Sequence, residues 1–212
     1  PEDGDSLRAP APVRFGDQVL LYYVSDVGIG VAVSNDGLAF TRSGVAIPEQ
    51  DAPDADSPSV VVLPSGELAM FYGDATGIRE ARSSDGISWT QQPGPVLVAG
   101  ADGPDADGVS DPAAVVTVSG EGRPITQIYY TARDTEGKRT IGLAARYPGE
   151  PFQKASGLVY DGGAQPRQPS VVRFADFTLL YANELEPNDE AYLVVAVGVA
   201  PADVVLPPPS PK

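Results

Sequence analysis

Residues 56–89 read DSPSVVVLPSGELAMFYGDATGIREARSSDGISW, and this stretch decides the fold. Val60 to Leu63 is a short, β-branched apolar run, and Pro64-Ser65-Gly66 is a turn. Glu67 to Tyr72 is a second run ending on Phe71-Tyr72. A turn at Asp74–Gly77 leads to a third run, Ile78 to Ser84. Asp85-Gly86 is a tight-turn dipeptide, after which Ile87-Ser88-Trp89 starts a short fourth strand. Four strands in this order make an up-and-down sheet, which leaves two edges and two faces to cover. A single copy is not stable alone, so the chain is expected to repeat it.

It does. In the first repeat Pro12-Val13-Arg14-Phe15 is the inner strand, Val19 to Val24 the second and Ile29 to Ser34 the third. SNDGLAF at 34–40 matches SSDGISW at 83–89 position by position. The third repeat opens on Asp111-Pro112, carries Tyr129-Tyr130, and uses Tyr147-Pro148-Gly149 where the others have Asp-Gly. The fourth opens on Gln168-Pro169, with Phe177 to Tyr181 and Tyr192 to Val199 following. Prolines 12, 58, 112 and 169 and tyrosines 23, 72, 130 and 181 both recur at about fifty residues, the period of propeller blades. The expectation is an all-β fold, a β-propeller of four-stranded antiparallel blades. Repeats are placed at about 11–47, 57–98, 111–160 and 168–206, with a lead-in at 1–10 and a Pro-rich linker at 207–212. No helix is expected, because no run sustains a 3.6-residue period. Phe40, Trp89 and the tyrosine pairs recur at fixed repeat positions and read as blade packing.

Composition narrows the function. The 212 residues suit one all-β domain, and 22 Pro with 23 Gly suit many short strands and turns. A net charge of −15, from 29 acidic and 14 basic residues, argues against nucleic acid, which needs a basic face. It also repels anionic membranes, and no apolar run approaches a span, so no membrane insertion is expected. The absence of Cys excludes disulfides and thiolate metal sites, and the absence of His removes the usual general base. Acid–base chemistry therefore falls to carboxylates. The sequence starts at Pro1 without a signal segment and reads as a piece of a longer chain or assembly.

The Ser-x-Asp-Gly-x-x-aromatic turn, the preceding Tyr-Tyr or Phe-Tyr pair, and the Asp-Pro or Ser-Pro opening each inner strand carry a resemblance. Over about residues 10–200 they resemble the five-bladed propellers of glycoside hydrolases, families 43 and 32 and their relatives. The resemblance implies five blades where four repeats are visible. A blade is then missing or completed by the termini, or the ring closes with four. It also implies carboxylates at the openings of the inner strands, one as base or nucleophile, one as acid and a third orienting. The openings here are Ala11-Pro12, Ser57-Pro58, Asp111-Pro112 and Gln168-Pro169, and only Asp111 is acidic. Gln168 stands where a family 43 member is expected to carry its acid Glu, and an amide cannot protonate a leaving group. Asp56, one residue before the aligned position, and Glu184 are the carboxylates that would have to substitute. Asp111 before Pro equally starts a turn, and Arg167 suits either an ion pair with an Asp or an anionic or polyol ligand.

Two loops share Pro-Asp-Ala-Asp, at 53–56 and 104–107. Closely spaced carboxylates in a Gly-containing loop suit Ca²⁺, with Asp102, Asp105 and Asp107 as the candidate ligands, or else form a solvated loop. Three functions remain: a carbohydrate-binding, glycosidase-like module with an incomplete carboxylate set; an active hydrolase using Asp111 with Asp56 or Glu184; or a non-catalytic scaffold propeller. The first is the expected one, with ligand-binding residues Asp56, Asp111, Arg167, Gln168 and Glu184. A glycan or other polyol is its ligand, and the resemblance implies an extracytoplasmic location.

Overall fold

The computed structural model describes residues 3–160, 165–174, 177–185 and 191–199. Among these every regular element is a strand. The chain divides into two compact units, Pro1–Pro95 and Val96–Lys212.

The first unit holds β1 (Arg8–Phe15), β2 (Gln18–Ser25), β3 (Gly28–Ser34) and β4 (Thr41–Pro48), followed by β5 (Asp56–Val62), β6 (Leu68–Asp74), β7 (Gly77–Ser83) and β8 (Thr90–Gln91). Each set of four forms one antiparallel sheet in sequence order. The second unit repeats the design with β9 (Gly108–Val118), β10 (Pro124–Arg133), β11 (Arg139–Arg146) and β12 (Gln153–Lys154). It ends on a three-stranded sheet of β13 (Arg167–Arg173), β14 (Phe177–Leu185) and β15 (Ala191–Val199). These four meanders are the blades of a β-propeller, as the repeat predicts. Inner strand β1 lies beside β5, and β9 beside β13.

Sheets meet through their period-2 faces. Leu20, Tyr22, Val24, Ile29 and Val31 of the first sheet pack on Leu68, Met70, Tyr72 and Ala81 of the second. Tyr22 is fully buried, so its hydroxyl needs a partner, and it donates to the Gly86 carbonyl at 2.7 Å. The Tyr22 ring meets Trp89 edge-on, with centroids 5.4 Å apart. Trp89 is thus packing, whereas Phe40 at the same repeat position is exposed, contrary to the expectation. In the second unit Ala113, Tyr129, Ile141 and Leu143 pack on Leu180 and Ala182.

The second tyrosine of each pair explains two glycines. Tyr23 lies opposite Gly30, and Tyr130 opposite Gly142. A Cβ on Gly30 would fall 2.6 Å from the Tyr23 ring, and one on Gly142 2.5 Å from the Tyr130 ring. Each ring therefore occupies the space a side chain would take on the neighbouring strand.

The Ser-x-Asp-Gly motif is a local hydrogen-bond cage. Ser34 Oγ accepts the Gly37 N–H at 2.9 Å, and Asp36 Oδ1 accepts those of Leu38 (2.8 Å) and Ala39 (3.0 Å). Ser83 and Asp85 repeat it with Gly86, Ile87 and Ser88, each at 2.8 Å. These backbone N–H groups, with the serine hydroxyl, hold both carboxyls down at about 2, below the usual 3.8.

Strand register corrects two sequence alignments. β1 begins at Arg8, so the opening equivalent to Ser57-Pro58 is Ala9-Pro10 rather than Ala11-Pro12. Ala11 pairs with Tyr22, Ser59 with Phe71, Ala113 with Tyr129 and Ser170 with Tyr181. Tyr181 is therefore the counterpart of Tyr22 and not of Tyr23. The extra residue in each inner strand is common to all four, so the cause lies in the residues themselves. β1 offers two Ala-Pro dipeptides, and the fourth sheet has Tyr181-Ala182 where the others have an aromatic pair. The expected strand boundaries at 206 and the linker at 207–212 lie outside the described residues.

Two outcomes are expected. Gly86 has φ +78°, and a Cβ there would sit 2.3 Å from Leu20 Cδ1, whereas Gly37 (φ +75°) has nothing nearer than 3.8 Å. Gly86→Ala should therefore cost about 1–3 kcal/mol more than Gly37→Ala in urea unfolding, the difference being overpacking. Equal losses would show that the Leu20 contact does not matter. Secondly, depressed carboxyl pKa values stabilise the fold above about 3.8, and that contribution fades as pH falls through about 2. The Asp36→Asn, Asp85→Asn double variant should lose less melting temperature across that window than the unaltered chain.

Candidate functional site

Each inner strand opens with a residue in the left-handed region immediately before a proline: Ala9 (φ 50°), Ser57 (50°), Asp111 (49°) and Gln168 (52°). Glycine is the usual occupant of such a bulge position, and the residue before proline is normally extended. None of the four is glycine. Each non-glycine residue there stores on the order of 1–3 kcal/mol of strain, which the surrounding sheet must hold. The same strained geometry thus recurs at all four openings.

In the first unit the residue before the bulge is Arg8 in β1 and Asp56 in β5. Arg8 Nε lies 3.5 Å from Asp56 Oδ2, and Asp56 Oδ1 accepts the Ser57 N–H at 2.7 Å. Asp56 is thus engaged by a cation and by its own backbone.

In the second unit Asp111 Oδ2 accepts the Ser110 hydroxyl at 3.1 Å. Thr131 pairs with Ser110 across β9 and β10, and its hydroxyl accepts the Gln168 N–H at 3.1 Å. Asp111 and Gln168 therefore occupy neighbouring bulges, which the repeat predicts. Gln168 Oε1 accepts Asn183 Nδ2 at 2.9 Å, and Asn183 pairs with Arg167 across β13 and β14. Arg167 Nε is buried without a hydrogen-bond partner. An unsatisfied buried N–H costs about 1–3 kcal/mol, and more when charged.

Glu184 follows Asn183 in β14 and so takes the opposite face. It is 9% exposed, and Tyr160 donates its hydroxyl to Glu184 Oε1 at 2.8 Å. That bond to a carboxylate is the main reason the Tyr160 phenol is pushed up. Glu184 is thus a packing-face carboxylate, on the other side of the sheet from Arg167 and Asn183.

The acidic loop at 102–107 does not converge. Asp102 is exposed. Asp105 is buried, with Lys154 Nζ 2.5 Å from its Oδ2 and the Tyr130 hydroxyl donating at 3.2 Å. Asp107 pairs with Arg133 Nε at 2.7 Å. Among the described residues no group of three such side chains is placed to hold a metal. The protein's own Lys154 and Arg133 take up two of the three carboxylates expected to bind Ca²⁺. Thr131, Asn183 and Tyr160 are polar partners that the sequence did not single out. Cross-strand register reveals Thr131 and Asn183, and the contact between two sheets reveals Tyr160.

No family model and no curated protein matches the chain by sequence. Its fold is that of the β-propeller glycoside hydrolases. A family 117 glycoside hydrolase of the marine bacterium Zobellia galactanivorans is similar at TM-score 0.70 and 20% identity, over 97% of this chain and 72% of that one. A thermostable family-43 glycoside hydrolase is similar at 0.65 and 15%, over 93% and 70%. The fructan 1-exohydrolase IIa of Cichorium intybus, solved in complex with 1-kestose, is similar at 0.68 and 15%, over 89% of this chain but only 41% of that one. Among the described residues no helix is long and apolar enough to cross a membrane.

The strained bulge has a direct check. Ala9 carries no polar group, so Ala9→Gly relieves its left-handed strain at the expense of backbone entropy. A net gain of about 0.5–2 kcal/mol in urea unfolding is expected, and a loss would refute the strain.

Proposed function

We propose that this chain is a carbohydrate-binding module on a glycosidase-type propeller, holding a glycan at the bulged openings of β9 and β13. The observation that carries the reading is the polar, non-titrating opening at Gln168. Its carboxamide is fixed by Asn183, and it lies beside Asp111 on the neighbouring inner strand. Fixed amides and a single carboxylate are the groups that hydrogen-bond sugar hydroxyls. The likeness to glycoside hydrolases supports a glycan as the ligand class, and an extracytoplasmic location follows from that reading.

Hydrolysis by two carboxylates needs an acid and a base flanking one bond. Gln168 supplies no proton, Glu184 lies on the packing face, and Asp56 is engaged by Arg8. The chain is therefore read as binding without turnover. A glycan array followed by titration calorimetry tests this. The expected result is binding to at least one glycan, weakened ten-fold or more by Gln168→Ala, with no release from aryl glycosides. Steady turnover would favour an active hydrolase, and binding to no glycan would leave a scaffold.

A further inference from the structure

Arg8 and Asp56 occupy the same position in successive sheets, one residue before the bulge, and they pair with each other. The equivalent positions in the second unit are Ser110 and Arg167. Serine brings no charge, so the carboxylate that answers Arg8 has no counterpart for Arg167. Among the described residues Arg167 makes no ion pair, and its Nε is buried without a partner. This occurs in a chain with 29 acidic and 14 basic residues, where a carboxylate partner is easily come by.

Asn183 and Gln168 bring donors as well, and Asp111 on the neighbouring bulge is a carboxylate. Arg167 and Asn183 are cross-strand partners and share a face. Gln168 Oε1 is occupied by Asn183 Nδ2, which leaves the Gln168 NH₂ as the end available to a ligand. A glutamate at 168 would set a negative charge beside this position, whereas the amide sets two N–H donors there.

We propose that Arg167 and Gln168 form an oxyanion subsite that takes the charged group of an acidic sugar, a uronate carboxylate or a sulfate ester. The guanidinium supplies a planar fork of N–H donors matched to two oxygens, and the Gln168 amide supplies a further donor. This inference rests on the glycan reading and narrows it to anionic glycans. It also gives the glutamine at 168 a role: with Asp111 already on the neighbouring bulge, a second carboxylate there would oppose the ligand's charge.

Calorimetry on the full chain at fixed, near-physiological ionic strength tests it. The probes are trigalacturonate, its neutral methyl ester, a sulfated galactose trisaccharide, its unsulfated form, and inorganic sulfate. At least one acidic sugar should bind ten-fold or more tightly than its neutral counterpart, and the better of the two identifies the anion. Arg167→Gln and Gln168→Glu should each abolish that preference, while Arg167→Lys keeps part of it. Melting temperatures of the variants establish that they fold. Equal binding of charged and neutral sugars, unaffected by Arg167→Gln, overturns the subsite and leaves the glycan reading standing. Arg167-dependent binding of sulfate without any sugar binding supports the subsite and sinks the glycan reading. No binding by any probe overturns both.

Discussion

The structure depends on one backbone constraint, the left-handed residue before proline at the start of each inner strand. It inserts an extra residue, turns the local side chains, and fixes the register of everything after it. Ala9, Ser57, Asp111 and Gln168 share this geometry although their side chains have nothing in common. The strain is thus a property of the blade, and the side chain at that position is free to vary. Strain of this kind persists only where the surrounding structure over-determines it. Paired strands, buried proline rings at Pro58, Pro112 and Pro169, and bonds such as Gln168 N–H to Thr131 supply that determination.

The rest of the blade is closely packed. A bulky ring on one strand is matched to a missing Cβ on the next, at Tyr23 with Gly30 and Tyr130 with Gly142. A buried hydroxyl is satisfied across sheets, at Tyr22 with Gly86. Interiors packed in this way transmit displacement rather than absorbing it. An opening held by such a sheet presents its side chains in one geometry, which a binding site requires.

Much of the fold was legible because it is local. Turn residues, β-branched runs and the Asp-Gly cages at Asp36 and Asp85 act within a few residues, and their recurrence reveals the blade. Register was not legible. Tyr181 is followed by Ala182, so it looks like the last member of an aromatic pair although it takes the first position. Ala11-Pro12 looks like an opening although Ala9-Pro10 is. Long-range pairing was equally hidden. Nothing nearby in sequence announces the partners of Asp105 and Asp107, which are Lys154, 49 residues on, and Arg133. Glu184 reads as a catalytic substitute until the pleat sends it to the opposite face from Asn183.

The same pleat separates two kinds of polar residue that sequence alone lumps together. Glu184 and its donor Tyr160 satisfy each other on a packing face, so their chemistry is closed. Arg8 and Asp56 answer each other between inner strands, which closes that opening too. Arg167 stands at the equivalent of Arg8, but Ser110 stands where a carboxylate would answer it. Among the described residues the repeat thus pairs this arginine in one unit and not in the other. That asymmetry between equivalent positions, rather than any motif, sets Arg167 apart from Arg8 and its ion pair.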